Sequence, residues 1–216
     1  MENLARNFFE AYLAVYPATA VFADDVPPEM VQAKEDEEGW FTWKLISGTL
    51  PESAYRIIEA ESNVQLPQSF IDWHRAYFFL DADCSLLRLP VSNPNLPLAD
   101  IRQNLEWSEG LIANKLYSFA YEGNDTGPLV FDGRVPATAN EFPIRVFDHE
   151  YGDDLSRLSP IIFSSFEKLL ECLTHFMREL KTRKSFEIIP DFLVLDPAGA
   201  GSTGAAYWLQ WPAMLK

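Results

Sequence analysis

Histidine and cysteine are scarce in this chain: 3 and 2 of 216 residues. Metal binding and nucleophilic catalysis rest most often on these two types, so their scarcity narrows the possible chemistry. His74, His149 and His175 lie far apart, and none has another at i+3 or i+4, the spacing that puts two ligands on one helix face. Cys84 and Cys172 could form one disulfide at most. The N-terminal "MENLARNFFEAYLAVYP" is apolar, but it holds Glu2 and Glu10 and no basic run precedes it. It therefore reads as a helix and not as a signal peptide, which predicts a cytoplasmic protein with two free thiols. No apolar run reaches membrane-spanning length. Positive charge is also short: 17 Lys and Arg stand against 32 Asp and Glu, a net charge of −15. A surface of that sign repels phosphate backbones and anionic membranes and attracts basic partners. Neither nucleic acid nor a membrane is expected to bind.

Catalytic signatures are missing too. No G-x-S-x-G elbow occurs. Cys84 follows Asp81 and Asp83, whose charge raises a thiol pKa. Cys172 reads as lying on the polar side or edge of a helix, with Lys168 four residues earlier. The "DHE" at residues 148–150 looks like a cluster, but adjacent strand residues point to opposite faces, so a structural or surface role is expected. Nothing selects one carboxylate pair for glycoside hydrolysis. One motif remains, Gly199-Ala-Gly-Ser-Thr-Gly204, which spells G-x-G-x-x-G after "FEIIPDFLVLD". A dinucleotide fingerprint opens a βαβ unit of about 30 residues, with an acid about 20 positions on. Here residues 205–216 hold no acid, and Ala205 and Ala206 replace the Lys-Ser/Thr of a phosphate loop. The glycines are read as a structural loop. No catalytic residue, cofactor or metal is assigned, and the chain is expected not to be an enzyme.

What is present is a globular composition, 48% hydrophobic and 14% aromatic. At this length a chain buries about 70% of its unfolded surface without a staple. Residues 3–16 step Leu4, Phe8, Tyr12, Val15, a helix ended by Pro17. "VPPEMVQAKEDEEG", with acids 35–38, reads as a loop or mobile linker, and "WFTWKLI" as a strand. Helices are expected at "PESAYRIIEAES" and "PQSFIDWHRAY", a strand at "FFLDADCSLLRLP", and a short helix in "NPNLPLADIRQNLEW". "NKLYSFAYEG", "GPLVFDG" and "FPIRVFDHE" predict a three-stranded meander. The strongest element is "SSFEKLLECLTHFMREL", with a wide apolar stripe and an S-x-x-E capping box at Ser164 and Glu167. "FEIIPDFLVLD" reads as a broken strand.

The order of these segments resembles the SUKH superfamily of Smi/Knr-like proteins. "IIEAESNVQLPQSFIDWH", "LYSFAYEGNDTGPLVFD", "FPIRVFDHE", "LSPIIFSSFEKLLECL" and the tail "DPAGAGSTGAAYWLQW" carry the likeness over roughly residues 50–211. "AYFFLDADCSLLRLP" departs from the family's NGG-like turn. The resemblance implies an α+β fold, a central and mainly antiparallel sheet flanked by helices. Residues 1–49 supply a helix, an acidic loop and a first strand to the same globule; residues 50–216 form the SUKH-like domain with its tail. That tail would cap the domain with Tyr207, Trp208 and Trp211. The resemblance further implies an immunity role: a monomer or weak dimer that binds and neutralises a cognate toxin domain. Such a toxin is often a basic nuclease, which suits the acidic charge. The candidate contact residues are Glu122 and Asp125 in "YEGND", with Asp148, Glu150, Asp153 and Asp154 after the third strand. A regulatory scaffold of the Smi/Knr type, and a small-ligand module with a pocket near "YEGND" and "FDHE", are the alternatives.

Overall fold

The computed structural model describes residues 2–20, 26–151 and 154–214. Helix α1 (Glu2–Leu13) buries Ala5, Phe8, Phe9 and Tyr12, the stripe its spacing predicts. It ends three residues short of the expected limit, although Tyr16 N–H still bonds the Tyr12 carbonyl at 2.8 Å in a last turn before Pro17. The "WFTWKLI" segment is not one strand. Strand β1 (Ala18–Thr19) pairs with β2 (Phe41–Thr42), whereas β3 (Ile46–Ser47) pairs with β4 (Tyr77–Phe78). The chain changes partners just after Trp43, which is buried. Helices α2 (Glu52–Ser62) and α3 (Gln68–Ala76) begin directly after Pro51 and Pro67, as expected.

The main sheet is antiparallel and runs in the order β5 (Leu87–Arg88), β6 (Leu116–Glu122), β7 (Pro128–Asp132), β8 (Ile144–Val146). The expected meander is therefore present, with a register shift between Ser118 and Ala120 and a short fourth strand at one edge. Phe119 and Phe131 stack across β6 and β7 with centroids 3.9 Å apart, and Phe70 of α3 meets both edge-on. Helices α4 (Ala99–Trp107) and α5 (Glu109–Ile112) lie between β5 and β6 in the chain. Leu111 of α5 packs with Leu116, Val130 and Phe147 in a second, smaller cluster. The architecture is the expected α+β arrangement of antiparallel strands and helices. The main core takes residues from both sides of the 49/50 division, joining Phe9 to Trp73, stacked at 5.8 Å, and Trp73 to Phe166.

Three local expectations are corrected. Helix α6 (Phe166–Glu179) has Ser165, not Ser164, as its N-cap; the Ser165 hydroxyl accepts the Lys168 N–H at 3.2 Å. Cys172 is fully buried on the core side of α6, so it is not on a polar edge. "FEIIPDFLVLD" is helical: α7 (Ser185–Ile188), a 3-10 turn over Ile189–Asp191, then α8 (Phe192–Leu195). Ile188, Ile189 and Phe192 are all buried, a spacing that suits one helix face; a short apolar run does not distinguish this from a strand. Helix α9 (Ala205–Met214) follows the glycine loop, and its Trp208 and Trp211 are buried against the domain.

Candidate functional site

The G-x-G-x-x-G loop encloses an anion that belongs to the chain itself. The buried Asp196 carboxylate accepts N–H groups of Ser164 (2.7 Å), Gly199 (3.1 Å) and Ala200 (3.4 Å), and the Ser164 hydroxyl at 2.6 Å. A Cβ at Gly199 would collide with Ser164 N and this carboxylate, which explains the glycine. Trp208 Nε1–H then donates to the Ile162 carbonyl at 2.9 Å, tying α9 to the segment before α6. Gly201 N–H turns to the Asp196 carbonyl, and the Ser202 and Gly204 N–H groups to the Gly199 carbonyl, so these donors also bond within the loop.

Three open cavities lie elsewhere, around the end of β6, and a smaller one lies between α1 and α6. Residues 81–88 form a tight loop because Asp81 Oδ1 accepts the Asp83 N–H (3.0 Å) and Asp83 Oδ1 accepts the Ser85 N–H (2.9 Å). Those side chains take backbone donors that a strand would have used, so the strand expected over this stretch is broken. Ser85 adopts φ 64, and its hydroxyl meets the Tyr16 hydroxyl at 3.0 Å. Gly123 N–H donates to the Leu86 carbonyl at 2.8 Å, which joins this loop to the β6–β7 hairpin. A Cβ at Gly123 would strike the Ser85 carbonyl oxygen, so only glycine permits that approach.

Glu122 organises the hairpin. It is 6% exposed; Oε2 accepts the N–H groups of Asn124 (2.7 Å) and Thr126 (3.3 Å), and Oε1 accepts the Tyr207 hydroxyl at 3.1 Å. Glu122 is thus a structural cap and not the exposed contact residue expected from sequence. Asp125, at φ 63, is exposed at the hairpin tip. The hairpin is bonded to the "FDHE" segment, since His149 N–H donates to the Thr126 carbonyl at 3.1 Å. This bond brings Asp125 of the first acidic group beside Asp148 and Glu150 of the second. Asp148 is half-buried and accepts the Glu150 N–H at 3.1 Å; Glu150 is exposed in a 3-10 turn. Asp154 is exposed and caps the next turn through the Ser156 N–H at 3.0 Å, a bond that holds its carboxyl below the usual aspartate range. Asp153 lies outside the described residues.

Between the 81–88 loop, the end of α1 and the hairpin opens a groove of about 840 Å³. Tyr12, Tyr16, Trp40 and Tyr121 form its aromatic walls, and Asp81, Asp83, Glu122 and Asp125 its carboxylates. Arg88 is the one basic side chain among its described lining residues, and its Nε and Nη2 both reach Asp83 Oδ2 at 3.2 Å. Burial pushes the Tyr12 and Tyr16 hydroxyls up, so both phenols are neutral and the negative charge comes from the carboxylates. Trp40 is 45% exposed on a turn that Asp36 holds, its Oδ1 accepting the N–H groups of Glu38 and Trp40 at 2.9 Å each. The acidic run 35–38 is thus a built turn. Glu122 also lines a second cavity of about 420 Å³, with Asp148, Tyr207 and Trp211. Tyr121 separates the main groove from a shallow hollow beside Trp107 and His149.

Sequence reasoning missed Tyr16, Trp40, Asp81 and Asp83. The signal for the two aspartates is D-x-D-x-S, a run whose side chains bond the backbone two residues on and so turn the chain inside the expected strand. The thiols offer no nucleophile: burial raises the pKa of both, with the Asp83 and Asp81 charges adding at Cys84. No group of three or more His, Cys, Asp or Glu able to hold a metal occurs among the described residues. His175 bonds Asp191 at 2.8 Å and Arg183 bonds the same carboxylate at 2.6 Å, which ties α6 to the turn before α8. No helix among the described residues is long and apolar enough to cross a membrane. Compared with known proteins, the chain matches no family model, no curated protein and no solved structure.

Proposed function

We propose that this chain is an immunity-type protein that binds a basic bacterial toxin domain and neutralises it by occlusion. The observation that supports it best is the groove beside residues 81–88, lined by aromatic rings and by Asp81, Asp83 and Asp125 with one arginine. Rings supply rigid contact area and carboxylates supply complementary charge, the two things that an interface with a basic protein needs. The loops are held by bonds to their own backbone, so little order would have to be gained on binding. Asp125, Asp148, Glu150 and Asp154 extend the negative field along the same edge. In this reading the chain catalyses nothing itself; it blocks the partner's surface, acting as a monomer or weak dimer in the cytoplasm. The order of segments shared with Smi/Knr-like proteins points the same way.

Co-expression with the toxic domain encoded beside its gene is the direct test. The expected result is rescued growth, weakened when Asp125, Asp148, Glu150 and Asp154 are together replaced by lysine in a chain whose circular dichroism is unchanged. Absence of both rescue and any complex with a neighbouring toxin at low salt would end the proposal.

A further inference from the structure

We propose that the groove beside residues 81–88 receives an arginine side chain of the partner, inserted between Trp40, Tyr16 and Tyr121. This rests on the reading of the acidic edge as a binding face. The walls and the rim both favour a guanidinium over an ammonium. A guanidinium is planar, weakly hydrated, stacks on aromatic faces and bonds carboxylates through a fork of N–H groups. An ammonium is a compact, strongly hydrated charge that an open groove would have to strip of water. Trp40 offers an exposed ring, and Tyr16, partly exposed, offers a neutral one; Tyr12 is buried behind them. The chain already shows the pairing at the rim, where Arg88 directs two N–H groups at Asp83. That contact matches Asp83 and leaves Asp125, and Asp81 apart from its bonds to the Asp83 N–H and the Tyr12 hydroxyl, without a basic partner among the lining residues. Glu122 is not available, because both its oxygens hold the hairpin and Tyr207. The groove's volume of about 840 Å³ admits a long side chain together with its flanking backbone, well beyond what one ion needs.

The test needs no toxin. Acetyl-Gly-Arg-Gly-amide, and its lysine and citrulline counterparts, are titrated into the full ¹⁵N-labelled chain at low salt. Saturable shifts are expected for the arginine peptide at residues 81–88, at 121–126 and at the Trp40 indole. The lysine peptide should bind about three- to tenfold more weakly, and the neutral citrulline peptide should not saturate. Asp81→Asn keeps an oxygen for the Asp83 N–H, and Asp125→Asn suits the left-handed backbone there, so both variants should fold while binding the arginine peptide more weakly. Trp40→Leu, which leaves the backbone bonds to Asp36 intact, should do the same. Equal affinity for arginine and lysine, or shifts confined to another face, would overturn the proposal. Arginine binding without any toxin partner would keep the site and remove the immunity reading; a toxin complex with a silent groove would do the reverse.

Discussion

Asp196, Glu122 and Glu141 each fix a loop by presenting one carboxylate to several backbone N–H groups. Glu141 reaches two helix starts: Oε1 accepts the Ser69 N–H and Oε2 the Phe166 N–H, both at 3.2 Å. Burial pushes its carboxyl up, against the pull of those bonds. Asp196→Ala would leave four donors without their acceptor in a buried site. A loss of about 2–4 kcal/mol is expected, read as a lower urea midpoint, with Asp196→Asn milder. His74 sets a second expectation. Its Nδ1 meets the Tyr55 hydroxyl at 2.7 Å and its Nε2 the Val91 carbonyl at 3.1 Å. Burial lowers its pKa to about 4, although the Val91 carbonyl opposes this. The unfolded chain, with a histidine pKa of about 6.5, then binds the proton more readily between those values. Stability from this group is full above the unfolded value and falls as pH drops towards the folded one. Between pH 7 and pH 5 the loss should be about 2 kcal/mol. A His74→Phe variant should show a flatter profile over that range in urea titrations; an unchanged slope would contradict the assignment. Asp132 works lower on the scale. Burial raises its carboxyl, but hydrogen bonds and charge from Arg134 and Arg145 outweigh this and leave its pKa lowered. Its contribution is present above about pH 4 and lost as pH falls through the folded value, so Asp132→Asn should resemble the parent only in acid.

Helix α6 was the most legible element, because seven apolar positions at helical spacing leave one reading. Leu173→Ala should cost about 2–5 kcal/mol, since Leu173 is fully buried. Its cap was legible only to within one residue. Two serines stand side by side; Ser165 caps the helix, whereas Ser164 turns to Asp196, which lies 32 positions on and which no local pattern reveals. Ser165→Ala should cost about 0.5–2 kcal/mol through the helix start. Ser164→Ala should instead loosen the glycine loop, seen as faster amide exchange at Gly199 and Ala200. The meander was legible from its alternation and turns. The 185–195 helices were not, because Pro190 and a short apolar run mimic a broken strand until burial on one face decides. In the candidate site, the hairpin and "FDHE" acids were found by their turn chemistry, and their meeting follows from the Thr126–His149 bond. The groove itself needed Tyr16, Trp40 and residues 81–88, which are distant in sequence and joined only by the fold.

Across the whole molecule the excess of 15 negative charges is not a uniform coat. Arg178, Lys181, Arg183 and Lys184 gather at the end of α6, while the 81–88 loop, the hairpin tip, Asp148, Glu150 and Asp154 carry the described acids of the proposed face. Such a field acts over about 8 Å at physiological salt, so it should raise the association rate with a basic partner and leave dissociation nearly unchanged. In the proposed function that partner sits on the groove and the hairpin beside it. Hydrogen exchange of the complex with its toxin domain tests it most directly. Protection is predicted at residues 12–18, 40–43, 81–88 and 121–126, with α7, α8 and α9 exchanging as in the free chain. Protection confined to α7–α9, with 81–88 and 121–126 unaltered, would contradict it.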